Sequence, residues 1–296
     1  MPEKLMIFPE NFDLLHKGEE FIRSKSKEAV QKSDVLLHHL NMVAHSMNLI
    51  DHFARAYPHQ SDDQLVVQLL GIRLFNSMAG AVQDLMAGYY QNAVMQLRDI
   101  LEVSFLLDYF YSDKTLIAAW KGCSESDRNK QFSAFKVRTT LDERDGFTEK
   151  KRMEHYQLLC SLGAHASFQG FELLRPIAGG DAHCGPYFAD RALDATLSEL
   201  AKIAVGAAGT SRCFSICAAC LTSRRSFILW RLSRHGSRNF SGGDPSMWDR
   251  LGKCASCSNA LKPRANEPKG VATDVAAAMT GAAVLLDLGA RAFPSD

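Results

Sequence analysis

Apolar positions recur at helical spacing through most of this chain. Leu36, Leu40, Val43, Met47, Ile50 and Ala54 alternate steps of four and three, the seam of an amphipathic helix. That spacing predicts a first helix starting near Phe12 and ending at Tyr57 and Pro58. A second follows over 62–87, capped by Ser61 or Asp62, with Leu65, Leu69, Ile72, Leu74 or Phe75, Met78, Val82 and Leu85 on its inner face. Gly88 breaks it, and a third runs from about Tyr90 to Tyr111. Asp113 caps a shorter helix through Trp120, and another spans 127–139. Residues 142–146 read as a loop. Helix resumes at Thr148, turns Tyr156, Leu158, Leu159 and Leu162 inward, and continues into SLGAHASFQGFELL, residues 161–174. The glycine-rich stretch 177–187 is a connector, and Asp190 caps a last core helix reaching about Cys220. No proline interrupts the chain between Pro58 and Pro176, which permits long helices, since an internal proline costs about 3 kcal/mol.

The fold class expected is therefore all-α, an up-and-down multi-helix bundle over residues 1–220. Residues 221–296 form a separate expectation: a basic, less regular C-terminal region with one alanine-rich helix over 273–293. The longest apolar run, 275–286, would reach only about 18 Å as a helix, short of the roughly 30 Å of a bilayer core. Residues 1–13 lack the apolar core of a signal peptide. These features predict a cytoplasmic chain without a membrane partner.

Charge sharpens the division. The net formal charge is +1, yet residues 222–270 hold ten Lys and Arg against three acids, which leaves the remainder acidic. Within 224–238, Arg224, Arg225, Arg231, Arg234 and Arg238 alternate with Phe227 and Trp230, a pattern able to neutralise phosphates and stack on bases. RNA is the partner such a stretch would suit, and the seam of the first helix suits a homodimer. Eight cysteines in a chain with no signal peptide read as reduced thiols. Cys217 and Cys220, followed by Cys254 and Cys257, have the spacing of two half zinc sites, but the alanine neighbours of the first pair suit core thiols better. Asp181, His183 and Cys184 fall in a loop of connector composition. No cofactor is expected. His38, His45, His52 and His59 recur every seventh residue, too far apart along one helix to share a metal, and read as a polar stripe beside the seam.

One stretch carries the candidate chemistry. In the helix after Gly88, Arg98 and Glu102 lie four residues apart on one face among Val94, Leu97, Leu101 and Phe105. Exposed, such a pair contributes about 0.3–0.5 kcal/mol; buried, losing one member costs roughly 3–5 kcal/mol. Ser161 and His165, four apart in continuous helix, share a face, and their apolar neighbours predict partial burial of the imidazole. Two readings follow for Arg98, Glu102, Tyr156, Ser161 and His165. They form a structural network, or His165 acts as general base on a ribose 2′-hydroxyl while Arg98 stabilises phosphorane charge and Glu102 orients the arginine.

The segments YYQNAVMQLRDILEVSFLLDYF, HYQLLCSLGAHASFQGFELL and GPYFADRALDATLSELAKI resemble a family of uncharacterised bacterial α-helical proteins, itself similar in architecture to the HEPN superfamily. The resemblance covers about residues 62–204. It implies a HEPN-like core and, with it, either a dimeric metal-independent ribonuclease of stress and phage-defence systems or a non-enzymatic binding or regulatory module. The nuclease members place an arginine and a histidine near the start of one helix with four to six residues between them, a separation that Arg55 and His59, and Arg231 and His235, fall short of. Here Arg152 and His155 are closer than that and Arg175 and His183 farther, so the resemblance favours the binding module.

Overall fold

The computed structural model describes residues 10–56 and 58–214. The basic stretch 224–238, the four cysteines at 217, 220, 254 and 257, and the terminal helix expected over 273–293 lie outside the described residues.

Every described element is helical, and the fold is an all-α bundle. Its long helices are α1 (Glu10–Lys32), α2 (Asp34–Ala56), α3 (Asp62–Met86), α4 (Tyr90–Ser112) and α10 (Asp190–Phe214). Shorter ones are α5 (Thr115–Gly122), α6 (Glu125–Gln131), α7 (Ala134–Asp145), α8 (Lys151–Leu159) and α9 (Phe168–Phe171). A π turn, Cys160–Ala164, follows α8, and a single 3₁₀ turn, Glu172–Leu174, follows α9.

Two helices are central. In α4, Tyr90, Ala93, Val94, Leu97, Ile100 and Leu107 are sealed from solvent, and α10 is buried on nearly every side between Ala192 and Ser211. α10 touches α2, α3 and α4. It can do so because Ala192, Ala195, Ala201, Ala204, Ala207 and Ala208 keep its girth small, so neighbouring backbones approach closely around it. α3 is, among the described helices, one with the length and hydropathy to cross a membrane. Here Leu74, Met78 and Leu85 of that helix are spent on the protein's own core.

Several boundaries differ from the sequence expectation, each for a local reason. The predicted first helix is two, because Ser33 interrupts it: its hydroxyl accepts from the Leu36 amide at 3.3 Å and starts α2 afresh. The buried face of α2 also turns relative to the predicted seam. Leu36, Val43 and Ile50 are buried as expected, but His39, Ser46 and Phe53 share that face, while Leu40, Met47 and Ala54 are only half-buried. On α3, Leu69 and Ile72 point outward rather than inward. The helix expected over 127–139 breaks at Ser133, whose side chain caps α7 through the Lys136 amide. The predicted loop at 142–146 is instead the last turn of α7, closed by Gly146 in the left-handed region at φ 69°.

Candidate polar site between α4, α7 and α8

Two close approaches set the geometry of the site. Gly88 has φ 85°, and a Cβ there would collide with the Tyr187 carbonyl oxygen and lie 2.9 Å from Ile22. A glycine therefore lets the α3–α4 turn pass under the segment that leads into α10. Next to it, the sealed Tyr90 ring packs edge-on against Tyr187 at 5.3 Å, and the Tyr90 hydroxyl accepts from the Ala189 amide at 3.2 Å. Tyr187 in turn donates to the Leu173 carbonyl at 2.6 Å. Burial pushes the Tyr90 phenol up to about 12, so it stays a neutral hydrogen-bonding post. Gly163 does the same for the π turn. A Cβ on it would sit 2.8 Å from the Met95 amide nitrogen and 3.0 Å from the Val94 carbonyl carbon, so α8 and its π turn press directly on the α4 backbone one turn before Arg98.

That contact delivers Tyr156, on α8, to Arg98 and Glu102, on α4. The Tyr156 hydroxyl accepts from Arg98 Nη2 at 2.7 Å and Nε at 3.2 Å, and donates to Glu102 Oε2 at 3.3 Å. Arg98 Nη2 lies 2.8 Å from the same carboxylate oxygen, closing a triangle. About a third of each charged side chain is exposed, 34% for Arg98 and 39% for Glu102. The pair thus falls between the two limits weighed from sequence. Burial works against the Arg98 charge, but the Tyr156 bond and Glu102 outweigh it and hold its pKa above the ordinary arginine value. Burial, with Glu102 adding to it and Arg98 opposing, raises the Tyr156 phenol.

A residue not singled out in the sequence completes the group. Arg138, on α7, is 6% exposed and lays its guanidinium over the Tyr156 ring, 3.9 Å from the centroid. Arg98 stands 5.4 Å from the same centroid.

Ser161 and His165 do not join this group as expected. The α8 helix ends at Leu159, and the π turn gives the His165 amide to the Cys160 carbonyl, so 161 and 165 no longer share a helical face. The Ser161 hydroxyl donates to Leu158 O at 3.0 Å, and its carbonyl accepts from Ser167. His165 is in extended backbone with its side chain exposed, not partly buried.

A second polar cluster, also unanticipated, ties α8 to α10. Glu199 is 3% exposed, within 2.6 Å of His155 Nε2 and 3.2 Å of Lys202 Nζ. Burial alone would raise its pKa; the bond and charge of His155, then Lys202, win and bring it down to about 2. His39, on α2, is held down to about 4 by burial, then by His38 and Lys202. Its Nδ1 has no hydrogen-bond partner among the described residues. Glu199 is not marked in the sequence, because Leu193, Leu197, Leu200, Ile203 and Ala204 set an apolar period around it; Lys202 at i+3 is a local sign of a partner.

A third network braces α7 against α4 and α8. Arg152 bonds Asp142 and Asp145 at 2.6 Å each, and Arg144 bonds Asp145 and Asp108. Along α3 and α4 lies a groove of about 790 Å³, lined by Leu69, Ile72, Met95 and Trp120 and by the Arg73–Asp99 pair. Asp181, His183 and Cys184 are not drawn together, and among the described residues no three His, Cys, Asp or Glu converge as a metal site. Among the described residues Cys123, Cys160 and Cys184 are free thiols.

No protein-family model matches the sequence, and neither a curated protein nor a solved structure does.

Proposed function

We propose that the chain is a non-enzymatic binding or regulatory module, HEPN-like in outline, whose Arg98, Glu102 and Tyr156 form a preorganised polar network rather than an active site. One observation carries this reading: the Tyr156 hydroxyl and the Arg98 guanidinium are committed to one another and to Glu102. A guanidinium so engaged is held in place without a substrate, as a packing or recognition element is.

The alternative is a metal-independent ribonuclease with His165 as general base and Arg98 stabilising the phosphorane charge. The exposed imidazole of His165, at the end of a π turn, is the feature in its favour. Cleavage of total RNA in EDTA, measured beside thermal unfolding, separates the two. The binding reading expects no cleavage by the unmodified protein and, for Arg98→Ala, a lower melting temperature. Metal-free cleavage that disappears in a folded His165→Ala variant would overturn it. A contribution of residues 224–238 to nucleic-acid binding is a further reading, tested by salt-dependent retention on RNA before and after truncation at 221.

A further inference from the structure

Arginine side chains that are sealed in a protein normally meet a carboxylate, because an unpaired buried charge is costly. Arg138 does not. Its Nε and Nη1 are fully buried and have no acceptor among the described residues, and its guanidinium lies over the face of Tyr156. The acids that could have served are spent elsewhere. Asp142, one turn along the same helix, bonds Arg152; Asp145 bonds Arg144 and Arg152; Glu102 bonds Arg98 and Tyr156.

We infer that Arg98, at the Tyr156 hydroxyl, and Arg138, over its ring, form a binding site for a phosphoryl group. This inference rests on the reading of the chain as a binding module and names what it binds. Both guanidinium carbons lie close to one ring centroid, at 5.4 and 3.9 Å, so they cannot be farther apart than those two distances combined. A planar carboxylate offers one bidentate edge and satisfies one arginine. A phosphoryl group carries acceptor oxygens in several directions and takes hydrogen bonds from two guanidiniums at once. Two arginines against one glutamate leave the cluster a net positive charge, and Arg98, a third exposed, marks the side from which an anion enters. Glu102 then has two effects: it holds Arg98 and Tyr156 in position when the site is empty, and it competes with the anion for both.

Inorganic phosphate titrated into the full chain, with chloride keeping the ionic strength constant, tests the site. Calorimetry should show saturable binding of phosphate that equal chloride does not produce. Arg138→Gln should weaken it at least tenfold. Glu102→Gln, which releases Arg98 from its carboxylate, should tighten it severalfold. A parallel titration with a short 5′-phosphorylated RNA and its 5′-hydroxyl counterpart distinguishes a phosphate borne on a nucleic-acid end from the free ion; binding of either phosphorylated probe supports the site. Heats no larger than for chloride from both inorganic phosphate and the 5′-phosphorylated RNA, equal affinity in Arg138→Gln, or weaker binding in Glu102→Gln would each overturn it. Should Arg138→Gln fail to fold, the direction of the Glu102→Gln effect decides alone. Phosphate binding without RNA cleavage upholds both proposals. Absence of both phosphate binding and cleavage removes this site and leaves the module reading standing; RNA cleavage in EDTA removes that reading whatever phosphate does.

Discussion

Tyr156 is the side chain through which α4, α7 and α8 meet: its hydroxyl joins Arg98 to Glu102, and its ring carries Arg138. These two parts are separable. Tyr156→Phe keeps the ring under Arg138 and deletes the hydroxyl, so it should lower unfolding stability by about 1 kcal/mol, with the slope of the urea transition unchanged. Gly88 is the residue with least latitude. Its φ of 85° already excludes a side chain at low cost, and a Cβ would meet the Tyr187 backbone. Gly88→Ala should cost about 3 kcal/mol in a denaturant titration, the sum of left-handed strain and overpacking.

At the scale of elements, the contact between the π turn and α4 decides whether a site exists. Gly163→Ala would place a methyl group 2.8 Å from the Met95 amide nitrogen, and backbone cannot yield as a flexible side chain does. The expected loss is about 1–3 kcal/mol. Hydrogen exchange should quicken in α8 and hardly change in α2, and uniform quickening would mean that the turn is not a separate joint. The existence of α3, α4 and α10 was legible from apolar spacing and caps, and Ser61 does cap α3 by accepting from the Gln64 amide. The break at Ser33 was not, because a serine flanked by Lys32 and Asp34 reads equally as helix surface or as cap, and only the packing of α2 on α10 selects the cap. The π turn was invisible for a similar reason: one extra residue per turn leaves the apolar order of Leu158, Leu159 and Leu162 intact while rotating His165 out to solvent.

For the whole molecule, the prediction concerns pH. His39 is held neutral, near 4, where the unfolded chain protonates near 6.5. The unfolded state therefore binds more protons, and stability falls as pH drops from 6.5 toward 4, by at most ~3 kcal/mol. Glu199, held down to about 2 from 4.5, adds stability that is complete above pH 4.5 and fades as pH falls toward 2. Both act in the same direction, so the melting temperature should decline in two successive windows. His39→Leu, close in volume and lacking the unpartnered nitrogen, should flatten the upper window and leave the lower one; an unchanged upper window would show that His39 is not its source. Glu199→Ala should cost about 3 kcal/mol at neutral pH, since it removes the buried carboxylate that His155 and Lys202 share, and should abolish the lower window.

Apolar periodicity, the spacing of prolines and the capping residues by themselves determined an all-α bundle and the place of Arg98 and Glu102 on one face of α4, because these follow from the repeat of a single helix. Tertiary structure alone decided which side of each helix is inside, as the turned face of α2 and the buried Glu199 show. It also decided which side chains from separate helices share a few ångströms. Arg138 has no sequence mark that distinguishes it from a surface arginine, yet α7 sets it over Tyr156. His165 has several marks of a core histidine, yet the π turn puts it in solvent. Local pattern encodes each helix's own geometry; the rotation and approach of one helix on another depend on glycines and alanines whose meaning appears only when a second backbone lies against them.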